Sequence, residues 1–462
     1  MKGSKLLMVI VATAVVTLGL SGISYAFHDG SVAYCDGCHT MHNAQGSNPM
    51  QGNSGAAGKG KSNGVQFTGN LFLLQGSDQS STCLNCHGST SAGIYYEYTI
   101  GASTATVPLN FTPGGDFGWL QIVPGNGSSA GQLYRRGHNI VAVDYSLTAS
   151  PVFTTAPGSN TANAYPASNF HCSSCHDPHG TYRHTGGDPA VNSDIKSSVF
   201  TSGGAGVQTI GSGSYGQTAA GQGATGSEAV GVYRLLAGAK YLPASVATTA
   251  SAFVNDAPIA EAPSSYNASE GVFGTTSTSA GLGGATAELI VSYGSGMSEW
   301  CANCHGAILQ GGGSMTNFIH PAGKGTNLGA TTLGAQTLAA NYNSYIGSGN
   351  LSGTNVYTSL IPVENGSITT GASQFGGIAP TVTGNSNVMC LTCHRAHASA
   401  WQNMTRWDNT TELITNNTGY AQGPIITYNY TTAQFPAAYN GRPYTAFVAN
   451  QRLLCNKCHA KD

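Results

Sequence analysis

A mostly coil fold, with few short helices and strands and no ordinary apolar core, is what three features of this sequence predict. Charged residues make up only 8% of the 462 positions, against about 25% in an average globular protein. There are 64 glycines, with heavy use of Ser, Thr, Asn and Ala, a composition that favours turns and loops over long periodic elements. The twelve cysteines fall into six close pairs with none left over. A chain that lacks extended apolar periodicity and still carries 22 tyrosines and 14 phenylalanines reads as one organised around something other than its own side chains. Disorder is the competing reading, and the aromatic content and the evenly used cysteine pairs argue against it.

Taken in chain order, the first element is a leader. Lys2 and Lys5 supply a positive region, residues 6–20 an apolar stretch, and Ser24-Tyr25-Ala26 a small-x-small cleavage site. Residues 1–26 therefore read as a secretory signal peptide, cleaved ahead of Phe27. No later segment is long and apolar enough to span a bilayer. The expected mature protein is a soluble single unit, residues 27–462, outside the inner membrane. The net charge of −2 gives no basic footprint for nucleic acid.

The cysteine pairs are CDGCH (35–39), CLNCH (83–87), CSSCH (172–176), CANCH (301–305), CLTCH (390–394) and CNKCH (455–459). Each has two residues between the thiols and a histidine immediately after. That spacing suits covalent haem attachment: two thiols add to the two vinyl groups of a porphyrin, and the next residue falls beneath the iron. Disulfides would suit an exported protein, but they require no histidine after every pair, and histidine is only 14 of 462 residues. Zinc ribbons do not repeat C-x-x-C-H six times. The reading is six covalently bound haem c groups, attached through Cys35, Cys38, Cys83, Cys86, Cys172, Cys175, Cys301, Cys304, Cys390, Cys393, Cys455 and Cys458. His39, His87, His176, His305, His394 and His459 are the proximal ligands. The fold class is thus a mostly coil multihaem c-type cytochrome, its few short elements wrapped around a chain of closely packed haems.

Eight histidines remain, against eight methionines of which Met1 and Met8 lie in the leader. The surplus points to bis-histidine ligation, which keeps haem potentials low where methionine would raise them. The distal candidates are His28, His42, His138, His171, His179, His320 and His397; His184 reads as a non-ligand. Seven candidates for six irons leave one idle, with His28 or His171 the expected surplus. Spacing limits what several of them can reach. His42, His179 and His397 each follow a proximal histidine by three residues, a span of at most about 11 Å. That tether is too short to round a porphyrin and approach from its far face. Each can serve only a different haem, as can His171, which abuts Cys172. Such histidines force neighbouring haems together.

The motifs start at 35, 83, 172, 301, 390 and 455 without a fixed period, so no solenoid is expected. Gly/Ser/Thr-rich stretches fill the central gaps, notably 200–230 and 264–286. Helices are expected over EAVGVYRLLAGAK (228–240) and TTLGAQTLAANYNSYIG (331–347), a strand over FGWLQIVPG (117–125), and a helical turn at every C-x-x-C-H.

The stretches FHDGSVAYCDGCHTMHN, LLQGSDQSSTCLNCH, FTPGGDFGW, GHNIVAVDY, HCSSCHDPHGTYR, YGSGMSEWCANCH, HPAG, CLTCHRAHAS and QRLLCNKCHAKD run through nearly the whole mature chain. Together they resemble the OmcS-like family, the filament-forming outer-surface hexahaem c-type cytochromes of metal-reducing bacteria. The resemblance implies haems in alternating stacked and T-shaped pairs along a filament axis. It implies that His42 crosses to a neighbouring subunit and ligates the haem of Cys390, Cys393 and His394 there, making a homopolymer. It also implies a place at the cell outer surface, other outer-membrane or periplasmic cytochromes as partners, and extracellular metal oxides as acceptors. Two features depart from the family pattern: Gly88 follows CLNCH without an extra histidine, and His184 is additional. The central Gly/Ser/Thr-rich segments are also longer.

Three functions compete. The first is an extracellular electron conduit that passes electrons to Fe(III) or Mn(IV) oxides or to partner cells. The second is a multihaem oxidoreductase of the nitrite or hydroxylamine type, which needs an open iron; the histidine surplus and the absence of a C-x-x-C-K motif speak against it. The third is a monomeric periplasmic shuttle, usually smaller and charged for docking. The expectation is the conduit, an electron carrier and not an enzyme.

Overall fold

The computed structural model describes residues 35–39, 44–45, 48–49, 73–92, 96–103, 105–122, 135–159, 164–178, 184–185, 201–202, 205–206, 208–210, 228–230, 235–239, 241–243, 252–258, 260–261, 291–310, 320–345, 360–367, 382–421, 430 and 434–459. Within them regular structure is sparse. The longest helices are Met297–Gln310, Gln79–His87 and Leu338–Ser344, and the strands run two or three residues. No described helix is long and apolar enough to cross a membrane. Buried apolar side chains form one large cluster and several smaller ones, so the expectation of no ordinary apolar core is corrected. One gathers Trp119, Tyr342, Trp401 and Tyr439, a second Leu236, Val291, Met297 and Met389, and a third Leu84, Tyr98, Phe117 and Ile140.

The regular elements concentrate at the C-x-x-C-H motifs. Helical turns carry Cys35–Cys38, Cys390–Cys393 and Asn456–His459, a 3-10 turn spans Cys172–Ser174, and the two longer helices Gln79–His87 and Met297–Gln310 hold the second and fourth motifs. The second starts where Asp78 caps it, accepting from Ser81 N at 2.8 Å, which satisfies an otherwise orphaned amide. The fourth kinks at His305 (φ −111°, ψ 36°), so the helical path breaks at the histidine itself before continuing to Gln310.

Adjacent motifs are tied by backbone and hydroxyl bonds. Gln75 N donates to Cys38 O at 2.8 Å, linking the first motif to the approach of the second. Cys172 N donates to Ser80 Oγ at 3.0 Å, linking the second to the third. Ala237 bridges the third and fourth: its N donates to Cys175 O at 2.9 Å and its O accepts from Trp300 Nε1 at 2.8 Å. Cys390 N donates to Ser298 Oγ at 3.0 Å, linking the fourth to the fifth. A small sheet sets that last pair. Ala260–Glu261, Ser292–Tyr293, Glu364–Asn365 and Ser386–Asn387 lie side by side in that order, and two of these strands run into the fourth and fifth motifs. The sixth motif packs on the helix Leu338–Ser344, with Asn341 Nδ2 donating to Cys458 O at 3.0 Å and Lys457 Nζ to Tyr342 O at 3.1 Å.

Three local expectations are corrected. Residues 117–125 do not begin as a strand: Phe117–Leu120 is a 3-10 helix, because the Asp116 carboxylate accepts from Gly118 N and closes the turn. The described residues of 228–240 are not a helix. Glu228–Val230 is a strand between two others, and Leu235 takes φ +60°, which no right-handed helix tolerates. Of 331–347, the described residues end at 345, and among them only Leu338–Ser344 is helical. Thr332–Leu333 pairs back on Gln336–Thr337 through Gly334 at φ +66°, and Thr337 then caps the helix by accepting from Ala340 N.

Candidate haem-binding centre

The motif histidines and the spare histidines meet in pairs that the chain's long-range folding selects. His176 faces His397 with ring centres 6.2 Å apart. His305 faces His138 at 6.1 Å, and His459 faces His320 at 6.0 Å. In each pair one ring follows a cysteine pair and the other comes from a different part of the chain. His397 thus stands opposite His176, not opposite its own neighbour His394. One backbone bridge, Gly137 against Ala398, holds two of the incoming rings at once: His138 N donates to His397 O at 2.9 Å, and His397 N to Gly114 O at 2.7 Å.

The ring orientations are fixed at Nδ1. His305 bonds Pro157 O at 2.7 Å, His394 bonds Asn403 O at 2.7 Å, His138 bonds Ala396 O at 2.5 Å, His171 bonds Val141 O at 2.9 Å and His320 bonds Pro321 O at 2.9 Å. A carbonyl only accepts, so Nδ1 carries the proton and Nε2 is left as the electron-pair donor, the tautomer a metal-ligating imidazole needs. Burial pushes His138 down to about 4, helped by the neighbouring His305. Burial also lowers His305 and His394. All three are held neutral, as ligands must be. His397 differs, because its Nδ1 bonds the carboxylate Glu97 Oε2 at 3.0 Å. Burial alone would lower His397, but the Glu97 bond and charge outweigh it and raise it. Burial likewise works against the charged form of Glu97, and the His397 bond and charge bring it below the usual range.

The thiols run in sequence order. Cys83 donates to Cys172, which raises the first and lowers the second; Cys301 donates to Cys390 in the same way, bringing Cys390 to about 7. Cys38 lies close enough to raise Cys83, and Cys304 close enough to add to the burial that raises Cys175. Cys455 and Cys458 add to the burial that pushes Cys393 up to about 12. The cysteine pairs therefore follow one another from the first motif to the sixth.

This donor set fits covalent haem. A metal–imidazole bond of about 2.0 Å, with the ring centre about 1.1 Å beyond nitrogen for C–N bonds of about 1.33 Å, puts two axial rings roughly 6.2 Å apart. The three observed separations match that figure. Among the described residues no three His, Cys, Asp or Glu side chains gather into a group that would hold a bare metal ion.

Other expected residues are placed differently. Among the described residues no histidine ring stands opposite His171 or His394. His171 is buried, with Asp78 Oδ1 3.7 Å from its Nδ1. His184 belongs to the short strand His184–Thr185. Cys35 opens the first helical turn, and Cys86, His39 and His87 sit within their motifs. His28, His42 and His179 lie outside the described residues. Sequence reasoning missed Glu97. Its one signal was a lone carboxylate inside the aromatic run YYEY.

Fold and site together define a multihaem c-type cytochrome, a class of electron carrier that binds haem c covalently. No protein-family model matches the chain, but an alignment of 485 positions, covering all of both sequences, makes it 42% identical to C-type cytochrome OmcS of Geobacter sulfurreducens. Two solved structures agree. The OmcS nanowires of Geobacter sulfurreducens, seen by cryo-EM, are 40% identical at a TM-score of 0.72. The Outer Membrane Cytochrome S filament of the same organism is 41% identical at 0.71. Both alignments cover 94% of this chain and all of the solved one. The chain belongs to the OmcS family of c-type cytochromes.

Proposed function

We infer that this chain is a bis-histidine hexahaem electron carrier that is exported to the cell surface and polymerises into a filament conducting electrons to extracellular acceptors. The observation that carries this reading is the set of three opposed imidazole pairs at 6.0–6.2 Å, each joining a C-x-x-C-H motif to a remote histidine. When bound, haem supplies a one-electron Fe(III)/Fe(II) couple. The twelve cysteines tether it. His176 with His397, His305 with His138 and His459 with His320 are the assigned axial pairs, and His39, His87 and His394 are the other proximal ligands. The chain's own work is positional. Carbonyls hold the Nδ1 protons of His138, His305, His320 and His394, and Glu97 that of His397, leaving Nε2 to face the metal. Burial keeps His138, His305 and His394 neutral, and two ligands per iron would leave no open position for a substrate. The ordered thiols support a continuous run of centres through the subunit.

The resemblance to the OmcS family assigns His42 of an adjacent subunit to the haem of His394, a pairing that would account for polymerisation. The filaments formed by OmcS support the same reading. Fe(III) or Mn(IV) oxides and partner cells are the acceptors this surface location suits, with other outer-membrane or periplasmic cytochromes as donors. Residues 1–26 serve as the export signal and 27–462 as one unit. The test combines intact mass and electron microscopy of the secreted protein, wild type and His42→Ala. Six haem masses in both, with filaments only in the wild type, are expected. Normal filaments from His42→Ala would overturn the interface assignment.

A further inference from the structure

We propose that Glu97 lowers the reduction potential of the centre held by Cys172, Cys175, His176 and His397, by accepting the His397 Nδ1–H bond with a carboxylate where other ligand histidines use a carbonyl. The proposal rests on the axial assignment of His397 made above. Five other histidines bond Nδ1 to a backbone carbonyl, whereas His397 bonds a side-chain carboxylate at 3.0 Å; the Asp78 carboxylate near His171 stands farther off, at 3.7 Å.

The carboxylate is aimed at that ring by its backbone. Glu97 N donates to His87 O at 2.8 Å, and Phe117 N donates to Glu97 O at 2.8 Å. This places Glu97 between the histidine of the second motif and the 3-10 turn whose Phe117 ring stacks on His397 at 4.7 Å and 20°. Thr112 Oγ1 donates to the same Oε2 at 2.7 Å, fixing the carboxylate rotamer. A hydrogen bond to an anion is roughly twice as strong as one to a neutral acceptor. It makes the imidazole a more basic ligand, and a more basic ligand favours Fe(III) over Fe(II). The couple is one-electron: the iron goes from Fe(III) to Fe(II), the electron comes from the mediator of a titration, and neither axial bond breaks. Glu97 is a positioning residue acting through His397. A part in folding alone would leave the potential where it is.

The test is a spectroelectrochemical titration of the haem-loaded filament with EPR read at each step, on wild type, Glu97→Gln and Thr112→Val. Glu97→Gln keeps the shape and an oxygen acceptor but removes the charge. From the about tenfold effects typical of such outer partners, one of the six components should become about tenfold easier to reduce, a rise of about 59 mV for one electron. The centre of His87, which also feels the Glu97 charge, should rise less and the remaining four should hold, with every haem still low-spin. Thr112→Val leaves the carboxylate and frees Oε2 for His397 alone, so the same component should move down; this arm stands whether or not Glu97→Gln folds. An unmoved component in either variant, or an equal drift of all six, overturns the proposal. A wild type that already lacks one low-spin signal would instead overturn the axial assignment.

Discussion

Gly114→Ala isolates the placement of one candidate ligand without touching a ligand atom. A Cβ at position 114 would stand 2.6 Å from His397 Nδ1 and 2.9 Å from its Cγ and Cε1, whereas ordinary contact begins near 3.4 Å, so the ring must retreat by about 0.8 Å. It has nowhere to go. Phe117 stacks on it at 4.7 Å, Glu97 holds Nδ1 at 3.0 Å, and its backbone is clamped at both N and O by bonds of 2.7 and 2.9 Å. Functional groups of this kind tolerate displacement of about 0.5 Å. The variant should therefore lose the alignment of His397 with His176, with ligation weakened on the order of tenfold to a hundredfold. One haem of six should turn from low-spin to high-spin while remaining covalently attached. EPR of the oxidised protein, with a haem-stained denaturing gel as the attachment control, reads both. Gly325→Ala, where a Cβ meets nothing within 4 Å, should give the wild-type spectrum. A fully low-spin Gly114→Ala protein would refute the assigned role of His397.

Replacing His320 by Ala should make one haem high-spin, and by Met should keep it low-spin while raising one potential component; unchanged titration curves in both would remove His320 from the ligand set. Stability should depend on Glu364. Burial, then the neighbouring Glu299, raises its carboxyl from the ordinary 4.5 to about 7. Between those values the folded protein holds a proton that the unfolded chain releases, so stability falls as pH rises through that window. Above it the ionised group costs on the order of 3 kcal/mol. Glu364→Gln should accordingly raise the urea midpoint at pH 8 and leave it nearly unchanged at pH 4; an equal shift at both would refute this.

The loop-rich architecture and the helical turn at each cysteine pair were legible because both are local. C-x-x-C-H states its chemistry within five residues, and a helical turn appears at each. The three-residue tether likewise excluded His394 as the motif partner of His397. What the sequence could not yield was the identity of the partner. His397 reaches His176, and His138 reaches His305, through a bridge between Gly137 and Ala398, residues too far apart for any local pattern to specify. The misread elements failed for related reasons. Apolar content suggested a strand at 117–125, but one carboxylate, Asp116, capped a 3-10 turn there. Helix-forming residues at 228–240 were overridden by strand pairing. Glu97 stayed hidden because nothing near it in sequence is a haem ligand; folding alone brings it to His397.

The most direct test is a cryo-EM map of the secreted filament at side-chain resolution. It should show His176 and His397, His305 and His138, and His459 and His320 each on opposite faces of a single iron, with His42 of one subunit bound to the iron above His394 of the next. Those six rings turned away from one another, with the porphyrins dispersed through the subunit, would contradict it.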